Sequence, residues 1–100
     1  MLLGRIIGTV VSSKQDEFQI GNKFLLADLT DEYGKSLGKG ERVVLDTIGA
    51  GHNDLVMFSQ GSSARNTDRT INCPVDAIIL GIVDIITSGK EETYKKELDL

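Results

Sequence analysis

One run constrains the fold more than any other: Ala77-Ile78-Ile79-Leu80-Gly81-Ile82-Val83-Asp84-Ile85-Ile86-Thr87. Its β-branched content predicts a strand over residues 77–87. Strand side chains alternate between faces. Ile78, Leu80, Ile82 and Ile86 then share one side, and Ala77, Ile79, Gly81, Val83 and Ile85 the other. A strand of a small antiparallel sheet ordinarily keeps one wet face. This one has none apart from Asp84. A chain of 100 residues has room for one modest core. Two-sided burial therefore predicts a contact with another subunit, or a central strand lying under a loop.

Four more strands are predicted, over residues 1–12, 23–29, 41–48 and 54–60. In the first, Leu2, Gly4, Ile6, Gly8 and Val10 alternate with Leu3, Arg5, Ile7, Thr9 and Val11. The second set is too apolar for open water, so Ile7 and Val11 need cover. Residues 30–40 read as a hydrophilic connection with Gly34, Gly38 and Gly40. Residues 62–65 have length for a single helical turn capped by Ser62. Five short strands with glycines at the bends and no long helix predict an all-β chain. The architecture expected is a five-stranded, OB-like Greek-key barrel.

Residues 88–100 are charged. Ser88-Gly89-Lys90-Glu91 has the form of a capping box. Glu91 with Lys95, and Glu92 with Lys96, are spaced as helix pairs. The expectation is a barrel domain over residues 1–87 and a charged tail over residues 88–100 carrying a short helix. Such a tail serves for docking or is a solvated terminus.

The net charge of −4 argues against a general nucleic-acid binder. Trp is absent and aromatics are 5 % of residues, which removes most stacking platforms. Met1-Leu2-Leu3-Gly4-Arg5 meets a charge at once, so no secretory signal is expected, and no apolar run is long enough to span a bilayer. Cys73 is the sole cysteine and predicts no internal disulfide. Together these predict a cytoplasmic setting and no membrane partner.

Catalytic constellations are weak. His52 is the only histidine, and nothing fixes other ligands around it, so no metal is expected. Ser62 or Ser63 with His52 lacks the strand–elbow–helix pattern of hydrolases. Gly49-Ala50-Gly51 lacks the following Lys-Ser/Thr of a phosphate loop. Neither an enzyme nor a cofactor is implied. Arg65, closing the turn Gly61-Ser62-Ser63-Ala64-Arg65, is a better candidate for structural pairing, since a fixed guanidinium bonds carboxylates in bidentate fashion. Asp46, Asp76 and Asp84 are its candidate partners.

Gly49, Ala50, Gly51, His52 and Asn53 form a loop with little side-chain bulk between two strands. Glycine permits positive φ and close backbone approach, and Asn tolerates the left-handed region. Such a loop suits a crowded symmetry axis or an ordinary hairpin connection.

Asp46-Thr47-Ile48-Gly49-Ala50-Gly51, then Gly61-Ser62-Ser63-Ala64-Arg65, then Pro74-Val75-Asp76-Ala77 with Gly81-Ile82-Val83-Asp84, resembles the EutN/CcmL family of microcompartment vertex proteins. Gly8-Thr9-Val10-Val11-Ser12-Ser13 fits that family's opening strand. His52 and Asn53 depart from the family pattern, which has a small or aliphatic residue and often a third glycine there. The resemblance implies a small β-barrel that forms homopentamers and closes corners of a bacterial microcompartment shell in the cytoplasm, against hexameric shell proteins. It also implies a structural role for Arg65. On this reading residues 49–53 lie near the five-fold axis. The alternatives are an OB-fold module binding nucleic acid or oligosaccharide, and a small enzyme.

Overall fold

A computed structural model describes residues 1–11, 23–60 and 77–98. Five strands close into a barrel: β1 (Leu2–Val10), β2 (Lys23–Thr30), β3 (Ser36–Asp46), β4 (Leu55–Gln60) and β5 (Ala77–Ile82). Their order around the barrel is β1-β2-β3-β5-β4, with β4 returning to β1. Only the β3–β5 pair is parallel, joined at Leu45 and Ile78. This is the OB-like Greek key expected from the strand pattern. A separate hairpin comes next, of β6 (Ile85–Ser88) and β7 (Glu91–Lys95), and a 3-10 turn covers Lys96–Leu98.

The barrel interior is filled by Ile6, Leu25, Ala27, Leu29, Val44, Val56, Phe58, Ala77 and Ile79, with Ala50 from the β3–β4 loop. Each large side chain taken wholly out of water contributes about 1.5–3 kcal/mol. Phe58 is the largest of the fully buried ones among the described residues. It explains Gly4: a Cβ there would lie 2.9 Å from the Phe58 ring and 3.2 Å from the Ala27 methyl. Gly4 leaves the space that the ring occupies.

Among the register shifts of the barrel ladders, two leave an extra aliphatic residue on the wall. In β1 the register shifts between Ile6, opposite Ala27, and Gly8, opposite Leu26, so Ile7 is the extra residue. Val10 then lies opposite Phe24 on the outer surface and not in the core. This corrects the expected grouping of Val10 with Ile6. In β5 the extra residue is Leu80, between Ile79 and Gly81. A bulge re-aims a side chain, and both of these residues are exposed.

Three further expectations change. Residues 30–40 are not all connection: a tight turn ends at Lys35 and β3 begins at Ser36. The run 77–87 is not one strand, because pairing with β4 stops at Ile82 and a break at Val83–Asp84 precedes β6. The segment after Ser88 is not an α-helix. Gly89, at φ +65°, makes a two-residue turn into β7, and among the described residues of this segment helical geometry is confined to the 3-10 turn. The helical turn expected at residues 62–65 lies outside the described residues.

The hairpin covers one part of the apolar run, Val83, for which the sequence called for a partner. Tyr94 of β7 and Val83 bury Leu55 on the outside of the barrel, with Leu3 and Ile86 packed alongside. The Thr93 hydroxyl donates to the Glu32 carbonyl at 2.6 Å. The Lys96 N–H donates to the Asp84 carbonyl at 2.8 Å. Residues 88–98 are thereby attached to the barrel, and the position expected to begin a tail falls at the end of β6.

Candidate functional site

Residues 47–54 connect β3 to β4 and are fixed at both ends. Asp46 is buried at the last position of β3. Its Oδ1 accepts the N–H groups of Ile48 and Gly49, each at 3.0 Å. Lys23 Nζ lies 3.6 Å from Oδ2 and donates to the Ala50 carbonyl at 3.1 Å. The 3.6 Å separation is an ion pair without a hydrogen bond, and Oδ2 has no hydrogen-bond donor among the described residues. At the far end, Asp54 Oδ2 accepts the Gly51 N–H at 2.8 Å, and the Asp54 N–H donates to the Gly51 carbonyl at 3.1 Å.

The loop is also bonded to β1. The Ile6 N–H donates to the Asp54 carbonyl at 2.9 Å, and the Asn53 N–H donates to the Ile6 carbonyl at 2.8 Å. Arg5 donates through Nη1 to the Asn53 carbonyl at 3.1 Å and through Nη2 to the Gly34 carbonyl at 2.9 Å. Its guanidinium lies 5.9 Å from the centre of the Tyr94 ring. One side chain thus joins the β3–β4 loop, the β2–β3 turn and the C-terminal hairpin.

The small residues of the loop have different causes. Gly49 has φ +90° and Asn53 φ +69°, so both occupy the left-handed region. Ala50 is 0 % exposed and belongs to the barrel core. Its methyl is packed with the barrel core, a setting the sequence did not suggest. Gly51 is not among the residues with positive φ, and a Cβ on it would meet only Asp54 Oδ2, at an ordinary 3.7 Å. Among the described residues of the subunit, nothing requires glycine at position 51. Gly49, Gly51, His52 and Asn53 are exposed.

Of the carboxylates expected to pair with Arg65, Asp46 holds the loop as described. Asp84 is exposed in the break between β5 and β6. Arg65 and Asp76 lie outside the described residues. Lys23, Arg5 and Asp54 were not singled out from the sequence. The usable signal was an aspartate on each side of the glycines, since Asp carboxylates accept nearby backbone N–H groups in turns. Among the described residues, no group of three or more His, Cys, Asp or Glu could hold a metal ion. Among them also, no helix is long and apolar enough to cross a membrane.

The barrel is closed, but β3 meets β5 at Leu45 and Ile78 alone. Among the described residues, the exposed aliphatics of the barrel strands include two groups on the wall, besides Leu37 near the start of β3. Ile7, Val10 and Val43 lie on the β1–β2–β3 side. Met57 and Leu80 lie on the β4–β5 side.

The family described as "Ethanolamine utilisation protein EutN/carboxysome" matches residues 1–84. The carboxysome shell vertex protein CcmL of Gloeobacter violaceus is 42 % identical over 97 residues, covering 97 % of this chain and 96 % of that protein. The solved structure of Gloeobacter violaceus CcmL superposes with a TM-score of 0.86 at 41 % identity, covering 97 % of this chain and 99 % of that one. GrpN from Rhodospirillum rubrum, solved as a pentameric microcompartment shell protein, superposes with a TM-score of 0.72 at 40 % identity, covering 88 % and 98 %.

Proposed function

This chain belongs to the EutN/CcmL family, and from that premise we propose that it is a structural shell protein of a bacterial microcompartment, assembling as a cyclic pentamer at the shell vertices. What carries the reading is likeness in sequence and fold, over nearly the whole chain, to vertex proteins, one of them solved as a pentamer. The role is geometric. Flat sheets of six-fold tiles cannot close a polyhedron, and five-fold pieces at the corners supply the missing curvature. A ring of head-to-tail contacts closes on itself when its rotation divides a full turn. The outer rim of the ring then abuts hexameric shell proteins, and that contact is the binding activity. The family is one of structural proteins, and we read this member as non-catalytic.

We assign the loop at residues 49–53 to the five-fold axis. Support comes from Gly51, whose lack of a side chain is unexplained within the subunit and is accounted for by crowding between copies. Arg65 is assigned to pairing within or between subunits, with Asp76 or Asp84 as partners and Asp46 as a third.

Two measurements test the reading. Native mass spectrometry at micromolar concentration gives a five-subunit species if it is right, and a stable monomer if it is wrong. Mixing the protein with purified hexameric shell protein, followed by electron microscopy, gives closed polyhedra. Open sheets or tubes in both the presence and absence of the chain would remove the vertex role.

A further inference from the structure

The two exposed apolar areas are not equivalent. The first lies on β1, β2 and β3, where Val43 is 50 % exposed and Ile7, the extra residue of the β1 bulge, is exposed with it. The second lies on β4 and β5, where Leu80, the extra residue of the β5 bulge, is 41 % exposed beside Met57. Each area is apolar, and each carries a bulge whose extra residue is aliphatic. On the outer wall they are separated by Leu3 of β1, which lies opposite Met57 and is packed against the hairpin cluster. The C-terminal hairpin covers Leu3 and Leu55 but leaves Met57, Leu80, Ile7, Val10 and Val43 exposed. A single self-complementary patch would build a two-fold dimer. Two unlike patches on different sides of one barrel build a directional chain of subunits, which a rotation closes into a ring.

We propose that the ring forms by seating the β1–β2–β3 face of one subunit, through Ile7, Val10 and Val43, on the β4–β5 face of the next, through Met57 and Leu80. The occupant of each face is a second copy of this chain. The assignment rests on the pentameric reading above and adds which surface meets which. Aliphatic side chains at the centre of a protein interface lose affinity sharply when a charge replaces them, because the charge must be desolvated without a partner.

Val43→Asp and Leu80→Asp test it, each at a site open enough for the subunit to fold. Each alone abolishes the pentamer in native mass spectrometry while the far-ultraviolet circular dichroism stays that of the wild type. Val43→Asp keeps a sound β4–β5 face, and Leu80→Asp keeps a sound β2–β3 face. Mixed in equal amounts, they form one-to-one dimers that cannot extend. Val10→Asp mixed with Val43→Asp has the same face spoiled twice and gives monomers. Persistence of the pentamer in both single variants overturns the face assignment while leaving the ring itself standing. The assignment also fails if the Val43→Asp and Leu80→Asp mixture stays monomeric at ten times the concentration at which the wild type forms its ring. A monomeric wild type removes the ring reading, and the assignment with it.

Discussion

Asp46 carries the clearest energetic consequence. Its carboxylate is wholly buried, while Lys23, its ion-pair partner, is 54 % exposed at 3.6 Å. An ion pair with one member in solvent is worth about 0–1 kcal/mol. The two backbone N–H groups bonded to Oδ1 are part-buried and have short, aligned contacts at 3.0 Å. Leaving a buried donor unsatisfied costs about 1–3 kcal/mol. Asp46→Ala strips both donors of their acceptor, and partial burial puts the loss at about 2–4 kcal/mol. Asp46→Asn keeps a side-chain carbonyl at the Oδ1 position. It loses the charge assistance and the weak pairing with Lys23, about 1 kcal/mol. The two variants are compared with wild type by denaturant unfolding at one fixed protein concentration, because oligomer stability depends on concentration. Each kcal/mol moves the melting temperature of a domain this size by about 4–8 °C. Equal losses in the Asn and Ala variants would mean that the charge, not the hydrogen bonds, holds the loop. No loss in either would mean that the loop is shaped without Asp46.

Gly51→Leu is expected to leave the circular dichroism spectrum intact and to destroy or broaden the pentamer in native mass spectrometry; an intact pentamer of normal stability would remove the loop from the axis. Gly34→Ala is expected to cost at least about 1–3 kcal/mol, the scale of a strained backbone, because Gly34 has φ +77° and a Cβ there would sit 2.7 Å from Arg5 Nη2 and 3.1 Å from the Tyr94 ring; a melting temperature equal to wild type would contradict the packing at Arg5. Tyr94→Ala is expected to cost about 3–5 kcal/mol, in line with truncation of large buried aromatics, and to raise hydrogen exchange in β6 and β7 ahead of the barrel strands; uniform exchange would show that the hairpin does not depend on that ring. Arg65→Ala is expected to cost about 1–3 kcal/mol if its partner is buried, and unchanged melting with unchanged ring size would make it a surface residue.

The barrel was readable because its signals are local and repeated. Alternating aliphatics in β2, the glycines between β3 and β4, and the absence of helical periodicity all point one way. The hairpin was not readable for a specific reason. Ser88 and Glu91 fit a capping box, and Glu91 and Lys95 fit a helix pair, but such pairs stabilise a helix by only a few tenths of a kcal/mol. Burial of Tyr94 against Leu55 and Val83 outweighs them. Lys95 instead pairs with Glu97 at 3.0 Å, within a different local geometry. The competing signal was Gly89, followed by one residue and flanked by Ile86 and Tyr94, which is the pattern of a two-residue hairpin turn. The bulges at Ile7 and Leu80 were hidden because one inserted residue leaves no mark in composition, yet it exchanges the faces of every later residue in its strand. In the loop, the sequence reading identified the small residues but assigned them one shared cause. The structure separates them into backbone conformation at Gly49 and Asn53, core packing at Ala50, and no requirement within the described subunit at Gly51.

The methyl group of Ala50 has a mechanical consequence. It sits at zero exposure inside the barrel, midway along a loop whose neighbours on both sides face solvent. The loop is therefore corked. It cannot swing like a flap, because any outward travel withdraws the methyl and opens a void among Phe58, Val44 and their neighbours. Hydrogen bonds to Ile6 and Arg5 brace the same stretch from the side. If the loop lies at the five-fold axis, as proposed, the bore of the ring is set when each barrel folds. Such a corner piece behaves as a rigid washer, and a shell built with it would have to regulate traffic through its facets.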